Sequence, residues 1–342
     1  MKTANVFSPK ILELDAPRVT RQIEERIREI VFRRLRRKGA VVGLSGGIDS
    51  SVTAALCARA LGKERVFGLL MPEADSSDDS LSLASQLVVS LGISSVVENI
   101  REPLKALGCY QRRDDAIRLV IPEYGEGWKS KIVLPDLIDS ASYSVYSVVV
   151  QSPTGELRRV RLTPEAYMGI VAATNFKQRI RKTLEYYHAD RLWYAVAGTP
   201  NRLEYAQGFF VKNGDGSADF KPIAHLYNTQ VYQLAEFVGV PEEIRRRPPT
   251  TDTYSLEQSQ EEFFFSLPLR TMDLCMYGRN NGVPAQEVAA SLDLSAEKVQ
   301  RVYGIIDSKL SSTRYLQMAP QLIEPVTEVR TEDPHFTPPD RD

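Results

Sequence analysis

Ser45-Gly46-Gly47-Ile48-Asp49-Ser50-Ser51 gathers the groups needed to hold a chain of phosphates. Adjacent glycines let a ligand come close to the backbone. Their N–H groups, with the hydroxyls of Ser45, Ser50 and Ser51, can cradle a phosphate at the N-terminus of a following helix, where the dipole favours anions. Asp49 adds a carboxylate beside that cradle, which suits a hard cation such as Mg2+ bridging protein and phosphates. A glycine pair alone reads more readily as a serine-capped turn. The full order of strand, SGGxDS and helix is more specific and favours the nucleotide. The chain has no GxxxxGK[ST] run, so the loop is not of the Walker type.

Such a loop needs a strand before it and a helix after it. Ala40–Leu44 is a short, wholly apolar run, as a buried parallel strand would be, and Val52–Leu61 has a helical pattern. Upstream, Val19, Ile23, Ile27, Ile30, Val31 and Leu35 predict an amphipathic helix within 16–37. Downstream, Arg65–Met71 and Ser94–Val97 read as strands, with a helix over Ser80–Leu91 between them. Strand alternating with helix predicts an α/β fold with a doubly wound, mostly parallel sheet. The alternation breaks at about 100–163, where Val145–Gln151 and Leu157–Leu162 flank Pro153-Thr154-Gly155 as the arms of an inserted β-hairpin. A helix is expected over Pro164–His188, a buried strand over Leu192–Ala197, and a mainly helical C-terminal part from 255. The expected organisation is a single domain over 1–325, with the insertion at about 100–163. A Pro- and charge-rich tail over 326–342 is expected to be disordered.

Composition narrows the class. The chain has 342 residues, with 43 Lys and Arg against 44 Asp and Glu, a net charge of −1 that gives no basic excess for nucleic acid. It lacks a membrane-length apolar run and a secretory pattern, so a soluble, cytoplasmic protein with no membrane association is expected. Cys57, Cys109 and Cys275 are far apart and include no CxxC pair, and His188, His225 and His335 form no ligand cluster. The basic run Arg33–Lys38 is best explained as a helix end that complements the dipole. Residues 284–310 resemble a helix-turn-helix, but Glu297, Lys298, Arg301 and Asp307 give the second helix mixed charge, which suits packing better than phosphates.

Ser45-Gly46-Gly47-Ile48-Asp49-Ser50 resembles the PP-loop of the ATP pyrophosphatases, which implies an adenine nucleotide alpha hydrolase-like fold and cleavage of ATP between its α and β phosphates. Three further runs narrow the resemblance to the NAD synthetase family: Asn175-Phe176-Lys177-Gln178-Arg179, Gly198–Glu204, and Phe209–Asp219. It covers about 16–99 and 164–320. It implies amidation of nicotinic acid adenine dinucleotide with ammonia, through an adenylated carboxylate, with release of AMP and pyrophosphate. By that resemblance Ser45, Gly46, Gly47, Ile48, Asp49, Ser50, Ser51, Thr199 and Thr250 would contact ATP, and Asp49 with Glu204 would hold Mg2+. Asn175, Arg179, Lys212, Asp219 and Arg314 would hold the dinucleotide, with Asp49 and Lys212 in catalytic roles. The physical sense is independent of the resemblance: carboxylates from two strand ends can share one Mg2+, and Lys or Arg suits dinucleotide phosphates. Taken singly, Glu204 and Asp219 could equally be solvated loop acids, and Lys212 a surface lysine.

The sequence also departs from the family pattern. Tyr227-Asn228-Thr229-Gln230 lacks the lysine of the family turn, Thr250–Phe264 matches the family loop loosely, and Thr313-Arg314-Tyr315 keeps one basic residue where the family has a His-Lys-Arg. About 40 residues, none of them Cys, precede the PP-loop, so the expected nitrogen source is free ammonia or ammonia from a separate amidase. The resemblance also implies a homodimer. Two alternatives stay open at this level: an AMP-forming amide ligase acting on another carboxylate, and an inactive nucleotide-binding regulator that uses 284–310 on DNA.

Overall fold

The computed structural model of the chain describes residues 7–134, 146–250, 253–258, 260, 264–265, 267–326 and 328. Its centre is a parallel sheet built from β1 (Ala40–Gly43), β2 (Val66–Leu70), β3 (Ser94–Val97) and β7 (Ala195–Ala197), in the order β3-β2-β1-β7. β1 lies between β2 and β7, with Val42 opposite Gly68 on one side and Ala197 on the other. All of β1 except Gly43 is buried, which is why its sequence is apolar at every position rather than alternating.

Helices cover both faces. On one lie α1 (Ala16–Arg28), α2 (Ile48–Leu61), α3 (Asp78–Leu91) and α8 (Asn228–Phe237), whose Ile23, Ile27, Val52, Leu56, Leu87, Val231 and Leu234 make the main core. α1 continues into a π-helical stretch over Glu29–Arg34. On the other face, Val41, Leu69 and Val196 pack with α4 (Arg101–Ala106), α5 (Cys109–Arg118) and the long α6 (Pro164–Leu192). The doubly wound reading holds, and α2 begins at Ile48, earlier than its apolar pattern starts.

The insertion is more than a hairpin. β5 (Ser147–Gln151) and β6 (Leu157–Arg161) pair antiparallel as expected, but β4 (Lys129–Val133) joins them in a three-stranded sheet ordered β4-β5-β6. Val145, the expected start of β5, lies outside the described residues. Ile132, Val148, Val150 and Leu162 close a separate core against Ala166 and Ile170 of α6 and Ile117 of α5. The strand expected over Leu192–Ala197 is shorter than its apolar run. α6 continues through Leu192, and Trp193 turns left-handed at φ 58° to end it.

The C-terminal part is helical: α7 (Arg202–Gln207), α9 (Glu242–Arg246), α10 (Leu269–Asn280), α11 (Ala285–Ala290) and α12 (Ala296–Gln317). Val288 of α11 and Val299, Val302, Tyr303 and Ile306 of α12 are buried with Met272 and Cys275 of α10. The pair that resembles a helix-turn-helix is therefore packed on α10 through its apolar face. Nearly all of the expected tail, 329–342, lies outside the described residues.

Candidate active site

The loop between β1 and α2 is wired by its own serines. Gly47 caps α2, and its carbonyl accepts from Ser51 Oγ at 2.8 Å and Ser50 Oγ at 3.1 Å. Ser50 Oγ also accepts from Ser45 N at 3.3 Å, and Ser45 Oγ accepts from Gly47 N at 3.2 Å. Gly46 is left-handed at φ 75°, and a Cβ there would lie 2.4 Å from the carbonyl oxygen of Ser80. Glycine is required at that position on both counts. Ser45, Gly47, Ile48, Asp49 and Ser50 line a cleft of about 420 Å³ at the carboxyl end of the sheet. Crevices beyond the carboxyl ends of parallel strands are where open α/β sheets bind ligands.

Across the cleft floor, β7 leads into α7, and one residue organises both acids. Asn201 caps α7: its side chain accepts from Glu204 N at 3.2 Å, and its own N–H donates to Glu204 Oε2 at 3.1 Å. Asn201 Nδ2 then reaches Asp49 Oδ1 at 3.1 Å. A capping box thus fixes two carboxylates that are 155 positions apart in sequence. Gln260 Nε2 donates to Glu204 Oε1 at 3.1 Å. Removal from water raises Asp49 to about 6, despite the Asn201 bond. Glu204 is raised well above the ordinary range, first by desolvation and then by the charges of Asp49 and Asp215. A bound cation would relieve that opposition, as a proton does. Among the described residues no group of three or more His, Cys, Asp or Glu could hold a metal. Two carboxylates on a hard cation would leave its other positions to phosphate oxygens and water, which fits Mg2+.

The remaining expected residues fall into three groups. Asn175, Thr199 and Thr250 line the same cleft. Gly46 and Ser51 do not line it and serve the loop's own geometry. Arg179 and Lys212 meet elsewhere, near the end of α12: Lys212 Nζ donates to the Tyr315 carbonyl at 2.9 Å, and Arg179 Nε to the Lys212 carbonyl at 3.3 Å, while Arg314 is exposed on α12 just before Tyr315. The structure keeps these basic residues outside the cleft lining while Phe209, Phe210 and Val211 line the cleft itself. Asp219 is also absent from the lining, and its oxygens already accept from Val196 N at 2.7 Å and Tyr186 OH at 3.3 Å.

Some cleft residues were not singled out from sequence: Arg181, Arg247, Asp215 and Glu185 line it. Arg247 donates to Ser80 Oγ at 2.9 Å, beside the carbonyl that abuts Gly46. These arginines supply positive charge to a cleft whose expected lysine is absent from the turn at 227–230. That turn has another use, because Asp273 accepts from Asn228 N at 3.2 Å and from Thr229 N and Oγ1, each at 2.7 Å. The cysteines offer no nucleophile: burial pushes the thiols of Cys57 and Cys275 up to about 12 and that of Cys109 to about 11.

Comparison with known proteins gives a consistent picture. The family model of NAD synthase matches residues 19–121 and 138–314. An NH3-dependent NAD+ synthetase of Rhizobium meliloti strain 1021 is 56% identical over 324 residues, covering 95% of this chain and 97% of its own. One from Thermotoga maritima is 36% identical over 290 residues, covering 83% and 92%. Among solved structures, the NH3-dependent NAD synthetase of Campylobacter jejuni in complex with the nitrate ion superposes with a TM-score of 0.61 at 23% identity, covering 91% of this chain and all of that one (100%). An NMN synthetase from Francisella tularensis gives 0.62 at 19%, covering 91% and 99%. At those identities the two structures speak for the fold alone.

Proposed function

The chain belongs to the NAD synthase family, and from that premise we propose that it amidates nicotinic acid adenine dinucleotide with ammonia at the expense of ATP. A carboxylate oxygen of the dinucleotide attacks the α-phosphorus, the bond to the bridging oxygen breaks, and pyrophosphate leaves. Ammonia then attacks the acyl carbon, the acyl–oxygen bond breaks, AMP departs, and the nitrogen sheds a proton to leave the amide.

The observation that carries this reading is the Asp49–Asn201–Glu204 set beside the phosphate loop. The loop amides and the N-terminus of α2 face the departing pyrophosphate, and Arg181 and Arg247 add charge from other walls of the cleft. Asp49 and Glu204 would hold Mg2+, which when bound offsets charge on the phosphates. Thr199 and Thr250 serve ATP, and Asn175 reaches the acid substrate from α6. Arg179, Lys212 and Arg314 serve the far phosphates of the dinucleotide. Three buried thiols leave no amidase nucleophile, so ammonia comes from solution or from a separate amidase. The reading includes a cytoplasmic homodimer with the acid substrate near its interface. No helix among the described residues is long and apolar enough to cross a membrane.

The deciding experiment follows AMP, pyrophosphate and NAD from Mg-ATP and ammonium, with and without nicotinic acid adenine dinucleotide. All three should appear in step, and only with the dinucleotide. Pyrophosphate release driven by some other carboxylate, with none from the dinucleotide, would overturn the assigned substrate.

A further inference from the structure

Lys177 on α6 is 1% exposed and touches neither Asp49 nor Glu204. Its ammonium meets three acceptors: Glu73 Oε1 at 2.9 Å, Asp75 Oδ2 at 2.6 Å and the Thr253 carbonyl at 2.7 Å. A lysine ammonium has three donors, so this one is fully used. Around it, Tyr110 OH donates to Glu73 Oε2 at 2.9 Å, and Arg113 donates to Asp75 at 2.7 Å and to Asp114 at 2.9 Å. Burial alone would raise Asp75, but Lys177 and Arg113 outweigh it and hold the carboxyl below its usual range.

Thr253 opens a strip, 253–258, that lies along the free edge of β4. Ser255 Oγ accepts from Ser130 N at 2.9 Å, and Leu256 N donates to the Ser130 carbonyl at 3.2 Å. Lys131 Nζ donates to the Glu257 carbonyl at 3.1 Å, and Gln258 Nε2 to that of Ile132. Tyr254 is buried in the core of the inserted sheet. The strip thus occupies an edge that would otherwise present unpaired backbone groups. Thr253 and Tyr254 both line the nucleotide cleft, as do Pro72 and Ser76, which flank the Lys177 carboxylates in sequence.

We propose that Lys177 is a positioning residue for the reaction: with the β4 edge of the inserted sheet, it sets the 253–258 strip as a wall of the ATP cleft. This assigns the insertion a task, which is to supply the edge on which that wall is laid. The inference rests on the proposed function. One of the three ammonium bonds goes to a main-chain carbonyl 76 residues away, so it fixes the path of the wall whatever side chain stands at 253. Displacing a substrate wall by about 1 Å can cost roughly 10²-fold in rate.

The test uses Lys177→Arg and Ser255→Ala. A planar guanidinium keeps the charge but cannot place donors on three acceptors clustered about one point. Ser255→Ala acts on the same wall from the β4 side. For the whole chain, we would measure kcat, KM for ATP, calorimetric affinity for α,β-methylene-ATP with Mg2+, and amide exchange over 253–258. Lys177→Arg should raise KM for ATP roughly tenfold and Ser255→Ala roughly threefold, each by more than kcat falls. Exchange over 253–258 should quicken in both and slow again when the analogue binds. Wild-type KM and wild-type exchange in both variants would overturn the proposal. If Lys177→Arg does not fold, Ser255→Ala decides alone. A wild-type chain that binds no nucleotide overturns the assigned function and this inference with it, whereas wild-type binding with unaltered variants removes the inference only.

Discussion

One pair of carboxylates, Asp49 and Glu204, lines the cleft, another, Glu73 and Asp75, sits beside lining residues Pro72 and Ser76 in the chain, and the protein treats the two in opposite ways. Glu73 and Asp75 carry their cations within the fold: Lys177 bridges both, and Arg113 adds a second charge on Asp75. Asp49 and Glu204 receive only amides, from Asn201 and Gln260, and among the described residues no ion pair reaches either. Withdrawing charge from water is costly unless it is paired. The Glu73 and Asp75 pair meets that cost internally, and Lys177 and Arg113 hold Asp75 below its usual range; the Asp49 and Glu204 pair leaves it unmet, and its pKa values rise. A carboxylate pair with its own cation is architecture. One without is where, on the proposed function, a cation from outside would bind.

The largest effect that would break this contrast is catalytic. Asp49→Asn keeps the size and a polar contact to Asn201 but removes half of the charge offered to the metal. Pyrophosphate release should fall by about 10³-fold or more, while the melting temperature holds or rises because an opposed charge has gone. Near-normal turnover would take Asp49 out of the metal site. On the other pair the outcome should reverse. Lys177→Met leaves Glu73 and Asp75 short of their shared cation and should cost about 3 kcal/mol of stability, read by denaturant unfolding. A Lys177→Met protein as stable as the parent would show that the wall pair does not depend on its internal cation.

The contrast can be sharpened with pH. Asp49 in the folded chain sits at about 6, against an ordinary 3.8. An acid raised by folding takes up protons in the native state first, so its destabilising contribution is full above about pH 6 and disappears on descent towards 4. Mg2+ must displace that proton, and any that Glu204 holds as well, so the Mg2+ concentration for half-maximal activity should rise at least about tenfold per pH unit below about 6. Added Mg2+ should lift the melting temperature more at pH 7.5 than at pH 5.5, conditions chosen to bracket that value. A metal requirement flat across this range would separate the raised acid from the metal.

What was legible in the sequence follows how local each signal is. The phosphate loop is contiguous, and its strand, glycines and serines act on one another, so Ser45–Ser51 could be read directly. Asn201 stood in the open as the first residue of an Asn-x-x-Glu capping pattern, but its second bond, to Asp49, depends on β7 lying beside β1, which no local pattern states. β4 was hidden for a related reason. Lys129-Ser130-Lys131-Ile132-Val133 has little strand signal, and the pairing of Ser130 with Val150 and Ile132 with Val148 makes it one. Arg181 and Arg247 were lost among other arginines, since only the fold decides which of them faces the cleft.

Asp219 is a third acid on which the distinction can be tried, with a smaller expected effect. The family resemblance places it on the dinucleotide, whereas in the fold it accepts from Val196 N in the middle of β7 and from Tyr186 OH. If its partners define its task, it belongs with the internally satisfied acids. Asp219→Asn should then cost about 1 kcal/mol of stability, the scale of one hydrogen bond to a charged acceptor weakened by exposure. The KM for the dinucleotide should move less than about twofold, because uniform substrate binding is untouched. A fivefold or greater rise in that KM at unchanged melting temperature would instead put a substrate group on Asp219. Satisfaction by protein donors would then be an insufficient mark of a structural acid, and the reading of Glu73 and Asp75 as architecture would have to stand on the stability of Lys177→Met alone.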